Sequence, residues 1–351
     1  MKLGIFLPNW VGDVVMSTPT LRALRTHFGA EGYLAGVMRP SVADVLAGTD
    51  LLDERILYDP RSDRRELHER TLVRRLRAAQ LDAIVLLTNS FRTAWYAWRS
   101  RTPRRIGYAR GGRSLLLTDR LAPQKRHSRF VPTPALDTYL ELAYHLGCTL
   151  ESPQLELATT LQDEAAADEL WRQLQIRPHE PVVIFNPGGA FGPGKQWPTE
   201  YFSDLAARLV DSHRVHVVVL CGPSERELAR EIAGRAQREK VHSLAEAKLS
   251  LGLSKACVRR ARLMVTTDSG PRHFAAAFDV PVVTLFGPTH IAWSETHYPR
   301  AVHLQLDVDC GPCQKRSCPL GHHRCMRDLS VERVYNTAVD LFARVEEGRA
   351  A

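Results

Sequence analysis

No apolar run in this sequence approaches the ~18 residues that a membrane-spanning helix requires. The longest clean runs, such as Ala83 to Leu87 and Val217 to Cys221, are strand-sized. The start, Met-Lys-Leu-Gly-Ile-Phe-Leu, runs directly into Pro8, Asn9 and Asp13. That apolar stretch is shorter than the roughly 7–15 residues of a secretory signal core, so it reads as a first strand and the chain as cytoplasmic. Nor is there a short repeat: 22 Gly and 21 Pro follow no period. No G-x-G-x-x-G follows the first strand, which argues against a nicotinamide-dinucleotide enzyme. Aromatic residues are not interleaved with basic ones as on a base-stacking surface, so no nucleic-acid partner is expected.

What is present is the composition of a globular protein, with 44% hydrophobic and 25% charged residues. A length of 351 residues predicts about two domains. Lys and Arg number 47 against 39 Asp and Glu, a net charge of +8 with a pI near 9.3. Such a balance suits an anionic partner, whether nucleic acid, a phosphorylated substrate or an anionic membrane face.

Strand and helix patterns alternate through both halves. Leu3 to Leu7, Tyr33 to Met38 and Leu81 to Leu87 read as strands, and Val14 to Phe28 as a helix with Asp13 at its N-cap. Leu67 to Ala79 reads as a basic amphipathic helix. Residues 103 to 133, rich in Gly, Pro and Arg, read as a sheet edge with mobile basic loops, and Thr149 to Thr160 as the linker. The alternation restarts with strands at Pro181 to Asn186, Val215 to Cys221, Leu263 to Thr266 and Val280 to Phe286, and ends in a helix from Leu329 to Glu347. The pattern implies two open α/β units with parallel sheets, residues 1–155 and 156–351, facing each other across a cleft.

Two loops in the second half are candidates for phosphate binding, with a plain glycine-rich connection and an ordinary capped helix as the alternatives. Asn186-Pro-Gly-Gly-Ala-Phe-Gly-Pro-Gly-Lys-Gln-Trp197 follows a strand and precedes a helix. Its glycines, Gly188 and Gly189 first, admit a close backbone approach, and Lys195 adds a point charge. Gln196 stands where a P-loop needs Ser or Thr to hold magnesium, which argues against a magnesium-dependent NTPase while leaving a phosphate-binding loop open. Thr266-Thr-Asp-Ser-Gly-Pro-Arg-His273 also comes off a strand. Asp268 or Ser269 is expected to cap the next helix, whose first amides would attract a diphosphate. In the first half, Pro8-Asn-Trp-Val-Gly-Asp13 puts a carboxylate at a strand-to-helix turn, a place for an N-cap or a general base.

Seven cysteines fall into two sets. Cys148, Cys221 and Cys257 read as small buried hydrophobes. Cys310, Cys313, Cys318 and Cys325, with His322 and His323 between the last two, are permissive for a tetrahedral structural zinc, with packed reduced thiols as the alternative. Lys315, Arg316, Arg324 and Arg327 make the same segment basic. Asp307-Val-Asp309 has the D-x-D form with which some sugar transferases hold a metal, but it lies beside the cysteines rather than in a phosphate-loop candidate.

Together these motifs resemble the ADP-heptose:lipopolysaccharide heptosyltransferases of glycosyltransferase family 9, and heptosyltransferase II in particular. The likeness rests on Asn9-Trp-Val-Gly-Asp-Val-Val-Met-Ser-Thr-Pro19, Asn186-Pro-Gly-Gly with Gly194-Lys-Gln-Trp-Pro198, Thr267-Asp-Ser-Gly-Pro-Arg-His-Phe-Ala-Ala276 and Phe286-Gly-Pro-Thr289. It implies a GT-B fold of two facing Rossmann-like domains, with the lipopolysaccharide core acceptor in the first half and the ADP-sugar in the second. It implies an inverting transfer needing no metal cofactor, at the inner face of the cytoplasmic membrane. Asp13 matches the family's base and Lys195 the lysine that offsets diphosphate charge. Gly188, Gly189, Thr267, Asp268, Ser269, Gly270 and His273 fall in the nucleotide-diphosphate loops. Arg61, Arg64 and Arg65 are candidates for acceptor phosphates, and Arg272 stands where many members have an apolar residue.

Overall fold

A computed structural model describes residues 1–126 and 129–350. The basic loop expected within 103–133 therefore lies, at positions 127 and 128, outside the described residues. The chain divides into two compact units, one of residues 1–158 with Ala292–His297, the other of Thr159–Ile291 with the chain from Tyr298 onward.

In the first unit six strands, β1 (Lys2–Phe6), β2 (Tyr33–Met38), β3 (Glu54–Leu57), β4 (Ala83–Leu86), β5 (Arg104–Tyr108) and β6 (Asp119–Leu121), form one sheet in the order β3-β2-β1-β4-β5-β6. Every pairing is parallel. Helices α1 (Val11–Met16), α2 (Thr18–Phe28), α3 (Pro40–Ala43), α4 (Glu69–Ala78), α5 (Phe91–Arg99) and α6 (Ala135–His145) connect or flank the strands. The region read as a sheet edge with basic loops contains β5 and β6, which close that edge of the sheet, and a short antiparallel hairpin, β7 (Lys125–Arg126) with β8 (Arg129–Phe130). The single helix expected over Val14 to Phe28 is two helices, broken at Ser17, whose hydroxyl bonds back to the Val14 carbonyl at 2.7 Å. Trp10, not Asp13, is the N-cap, and Asp13 sits inside the first turn.

The second unit repeats the plan. Strands β9 (Val182–Asn186), β10 (His216–Val219), β11 (Val241–Ser243), β12 (Leu263–Thr267), β13 (Val282–Phe286) and β14 (Ala301–Gln305) order themselves β11-β10-β9-β12-β13-β14, all parallel. Its helices are α7 (Leu161–Gln173), α8 (Thr199–His213), α9 (Arg226–Ala236), α10 (Leu251–Arg259), α11 (Arg272–Ala277), α12 (Arg324–Arg327) and α13 (Val331–Ala350). Both sheets have the doubly wound order in which the strand sequence reverses once.

The central strands read as continuous apolar runs because helices cover both faces of a parallel sheet; β9, β12 and β13 are buried over their whole length. In the first unit α4 and α5 pack Leu72, Leu76, Ala94 and Tyr96 into a core with Phe6 and Tyr58. In the second, Trp197 lies edge-on to Phe202 at 4.9 Å and donates its indole N–H to the Leu329 carbonyl at 2.9 Å, tying the start of α8 to the segment before α13. The unit opens with a capping box that the linker reading passed over. Thr160 accepts from the Asp163 amide at 3.2 Å, and Asp163 accepts from the Thr160 amide at 2.9 Å. Among the described residues no helix is long and apolar enough to cross a membrane.

Candidate active site

In doubly wound sheets a crevice opens at the carboxyl ends of the strands where the order reverses. In the second unit that point lies between β9 and β12, with Asn186 in register with Thr266. The two loops leaving these strands are the two phosphate-loop candidates, and the structure ties them together. Asn186 donates its amide to Ser269 Oγ at 2.7 Å and to Thr266 Oγ1 at 3.1 Å. Thr267 Oγ1 donates to the Gly188 carbonyl at 2.8 Å. Lys195 Nζ reaches the Asp268 carbonyl at 2.9 Å and its Oδ2 at 2.5 Å. Thr289, from the loop after β13, donates to the same Oδ2 at 2.6 Å, and Arg272 Nε stands 3.8 Å from Oδ1.

Gly188, Gly189, Lys195, Thr267, Asp268, Ser269, Gly270 and His273 are thus gathered in one unit on the adjoining loops and the start of α11. The reason for glycine differs from the expected one at two positions. A Cβ on Gly188 would stand 2.1 Å from Glu225 Oε1, and one on Gly194 would stand 2.9 Å from the carbonyls of Lys315 and Arg316. At these positions protein, rather than ligand, demands the close approach. A Cβ on Gly189 would meet only Ser269 Cβ at 3.4 Å and Thr267 Oγ1 at 3.9 Å. The helix-terminus reading also needs correction. α11 has six residues, its N-cap is Pro271, and neither Asp268 nor Ser269 caps it with a side chain. The amides of Arg272 and His273 close a turn onto the carbonyls of Ser269 and Gly270. Lys195 and Arg272 therefore supply the side-chain positive charge on these loops.

The electrostatics follow from burial. Burial alone would raise the Asp268 carboxyl, but the Lys195 and Arg272 charges, with hydrogen bonds from Lys195 and Thr289, outweigh it and hold the group below its ordinary range. His273 is pushed well below its ordinary range, by burial first and then by the charges of Arg272, His303 and Lys195. Its imidazole is neutral at pH 7. Sequence reasoning missed Thr289 as a holder of Asp268, and Glu225 as the wall behind Gly188; both lie in loops that follow strands of the same sheet, the one signal that pointed to them.

The cysteine segment braces the Lys195 loop. Arg316 O accepts the Gly194 amide at 2.7 Å, and His323 Nε2 lies 2.8 Å from the Gly194 carbonyl. Cys310, Cys313, Cys318 and Cys325 border one small cavity with His322 and His323. Cys318 Sγ accepts the His323 amide at 3.4 Å, and burial pushes the Cys325 thiol up to about 11. Among the described residues, no three His, Cys, Asp or Glu side chains are grouped as an ion's ligand set. The acids of Asp307-Val-Asp309 are not gathered into one either.

In the first unit Asp13 stands close enough to Tyr139 for its charge to be felt. Burial first, and the Asp13 carboxylate second, drive the Tyr139 phenol well above its ordinary range. Tyr139 lines a cavity of about 150 Å³ with Asn89, Tyr108, Arg110, Glu141 and Trp293. Arg61 and Arg65 border an open cavity of about 770 Å³ with His68, Arg70 and Arg92, whereas Arg64 is paired with Glu66 at 2.7 Å.

Because the folded Asp268 carboxyl is held low, the stability it confers is complete above its unfolded pKa near about 4 and is lost as pH falls through the folded value. Asp268→Asn leaves Lys195 nearly buried without its counter-charge. Urea unfolding should show a loss of roughly 3–5 kcal/mol at pH 7. The gap between variant and parent should shrink as the pH falls below about 4.

The model of glycosyltransferase family 9 (heptosyltransferase) matches residues 69–324. Lipooligosaccharide heptosyltransferase 2 of Campylobacter jejuni is 26% identical over 97% of this chain and 98% of its own length. Lipopolysaccharide heptosyltransferase 2 of Escherichia coli K12 is 27% identical over 95% and 96%. Among solved structures, the ADP-heptose lipopolysaccharide heptosyltransferase II of E. coli superposes with a TM-score of 0.79 at 24% identity, covering 99% of this chain and 100% of that one. The family 9 glycosyltransferase of Veillonella parvula gives 0.82 at 22% identity, covering 98% and 97%. With two Rossmann-like units of the GT-B type and a family model spanning most of its length, this chain belongs to glycosyltransferase family 9 and is a glycosyltransferase.

Proposed function

We propose that the protein transfers heptose from ADP-L-glycero-D-manno-heptose to the inner core of lipopolysaccharide at the inner face of the cytoplasmic membrane. Two heptosyltransferase 2 relatives that align from end to end support the donor and acceptor class. The observation that carries the chemistry is the Lys195 ammonium, fixed by the Asp268 carboxylate and carbonyl at the point where the strand order reverses.

In this reading the 188–195 and 267–273 loops hold the donor diphosphate. The acceptor hydroxyl attacks the anomeric carbon from the face opposite the diphosphate, and the carbon–oxygen bond to the diphosphate breaks with inversion. The hydroxyl proton passes to the Asp13 carboxylate, and the electron pair leaves on ADP. Lys195 meets the charge that develops on the leaving group, and because Asp268 already orients it, little reorganisation is needed at that moment. Neutral, buried His273 can donate or accept one hydrogen bond without adding charge. Arg61 and Arg65, grouped with Arg70 and Arg92, suit the phosphates of the acceptor.

Asp13→Asn should lower kcat by about 10²–10⁴-fold while calorimetric ADP affinity stays at the parental level. Wild-type turnover in that variant would remove Asp13 as the base. Lys195→Ala should weaken ADP binding about tenfold to a hundredfold, the range of a lost charge-assisted hydrogen bond. Turnover of ADP-heptose and truncated lipopolysaccharide, followed by mass spectrometry, should survive excess EDTA; loss on chelation would overturn the metal-free mechanism. In the same assay, product from another nucleotide sugar and none from ADP-heptose would overturn the donor assignment.

A further inference from the structure

We propose that α4 and α5 of the first unit form a docking face for an anionic phospholipid surface. This deepens the function above and rests on it for its purpose, since a lipid-borne acceptor must be met at a bilayer.

α5 has two unlike faces. Ala94, Tyr96 and Ala97 enter the core, whereas Phe91, Trp95 and Trp98, spaced i, i+4 and i+7, point outward together. They are 51%, 38% and 46% exposed. The Trp95 and Trp98 rings stack on each other at 4.9 Å. Contrary to the expectation that aromatic and basic residues are not interleaved, α5 sets Phe91, Trp95 and Trp98 alongside Arg92 and Arg99, and three large aromatics in one exposed row make an apolar patch of the kind that marks an interaction site. Tryptophan in particular suits the headgroup level of a bilayer, where an apolar ring and an N–H are both satisfied.

The rim of the patch decides the partner. α4 lies alongside α5, with Arg77 Nε donating to the Arg99 carbonyl at 2.9 Å. Arg70, Arg74, Arg77, Arg92, Arg99 and Arg101 are all exposed on these helices or at their ends. The one carboxylate in either helix, Glu69, accepts the Tyr96 hydroxyl at 3.0 Å. Arg75 is matched by Glu54 at 2.8 Å, but Arg74, Arg99 and Arg101 have no carboxylate partner among the described residues. Residues 1–158 hold 23 basic against 16 acidic side chains, so seven of the eight net positive charges lie on them.

Aromatics rimmed by arginine fit a surface that is apolar beneath and negative on top. A second copy of the chain would set one arginine rim against another, which like-charge repulsion opposes. The bilayer is the occupant that the charge favours.

The test is cosedimentation of the full chain with phosphatidylcholine vesicles, with and without phosphatidylglycerol. Binding should require phosphatidylglycerol and fall steeply as salt is raised. Trp95→Ser with Trp98→Ser, or Arg74→Gln with Arg99→Gln, should weaken it at least tenfold, each arginine contributing about fivefold. Both pairs should keep the parental circular dichroism melt, and both should transfer heptose to a lipid-free, truncated acceptor at the parental rate. Equal binding to neutral vesicles, or undiminished binding by both pairs, would overturn the proposal. So would a dimer in vesicle-free sedimentation that the tryptophan pair abolishes, which would give the face to self-association. If wild-type protein binds anionic vesicles yet transfers nothing to the soluble acceptor, the docking face stands and the proposed function fails.

Discussion

The second unit is organised around one nearly buried ion pair. Lys195 and Asp268 come from loops 73 residues apart, and their side chains keep only 12% and 9% of their exposure. A charge taken out of water at such a place is costly unless its partners are good. Here the carboxylate has an ammonium, a threonine hydroxyl and a nearby guanidinium, and the ammonium also has a carbonyl. Neither side chain can leave without stranding the other, so the pair holds the β9 and β12 loops in a fixed relation. Asp268 thereby orients the ammonium: a carboxylate and a carbonyl that hold a lysine give the lysine a direction.

Much of the surrounding structure maintains that relation. Asn186 and Thr267 tie the two loops at their roots, and Glu225 fills the space behind Gly188. The Gly192–Lys195 arm is held from the other side by the cysteine segment, through Arg316 O and His323 on the two backbone groups of Gly194. Gln314 donates its amide to the Pro288 carbonyl at 2.8 Å, and Gln305 reaches the Thr289 carbonyl at the same distance. The segment therefore also touches the loop that presents Thr289 to Asp268. By position the segment is a brace, and glycine at 194 is what lets two backbones meet there.

The fold was largely legible because buried parallel strands advertise themselves. Tyr33 to Met38 is recovered to the residue, β9 and β13 lie within the apolar runs that announced them, and β12 outruns its own by one residue, Thr267. Elements with weaker apolar periodicity were not anticipated: α7 with its Ala- and Glu-rich sequence, α10, and edge strands such as β14, which is only partly buried. The return of Ala292–His297 to the first unit leaves no local signature, because a chain crossing is a property of tertiary contacts. At the site, the residue types were readable and their roles less so. Asp13 looked like a cap because acids favour the first turn and the cap alike, and only backbone angles at Trp10 separate the two. The glycines looked like ligand contacts because a sequence cannot say what fills the space beside a missing Cβ.

The two units share one strand order, and so each offers a crevice where that order reverses, at β1 and β4 as at β9 and β12. Topology alone would make them equivalent. The side chains do not. After β9 the loop is glycine-rich and ends in a lysine, a composition suited to a dense anion. After β1 the loop is Leu7-Pro-Asn-Trp10 and the first ionisable group is an acid inside the first turn of α1, close to a buried tyrosine. An acid there is unsuited to a diphosphate and suited to taking a proton, while the arginines that could meet acceptor phosphates or a bilayer lie further along the same unit, from Arg61 to Arg101. On the proposed function, donor and acceptor chemistry are separated by what stands at the strand ends of two copies of one architecture, which is why function here has to be argued from Lys195, Asp268 and Asp13 rather than from the fold that carries them.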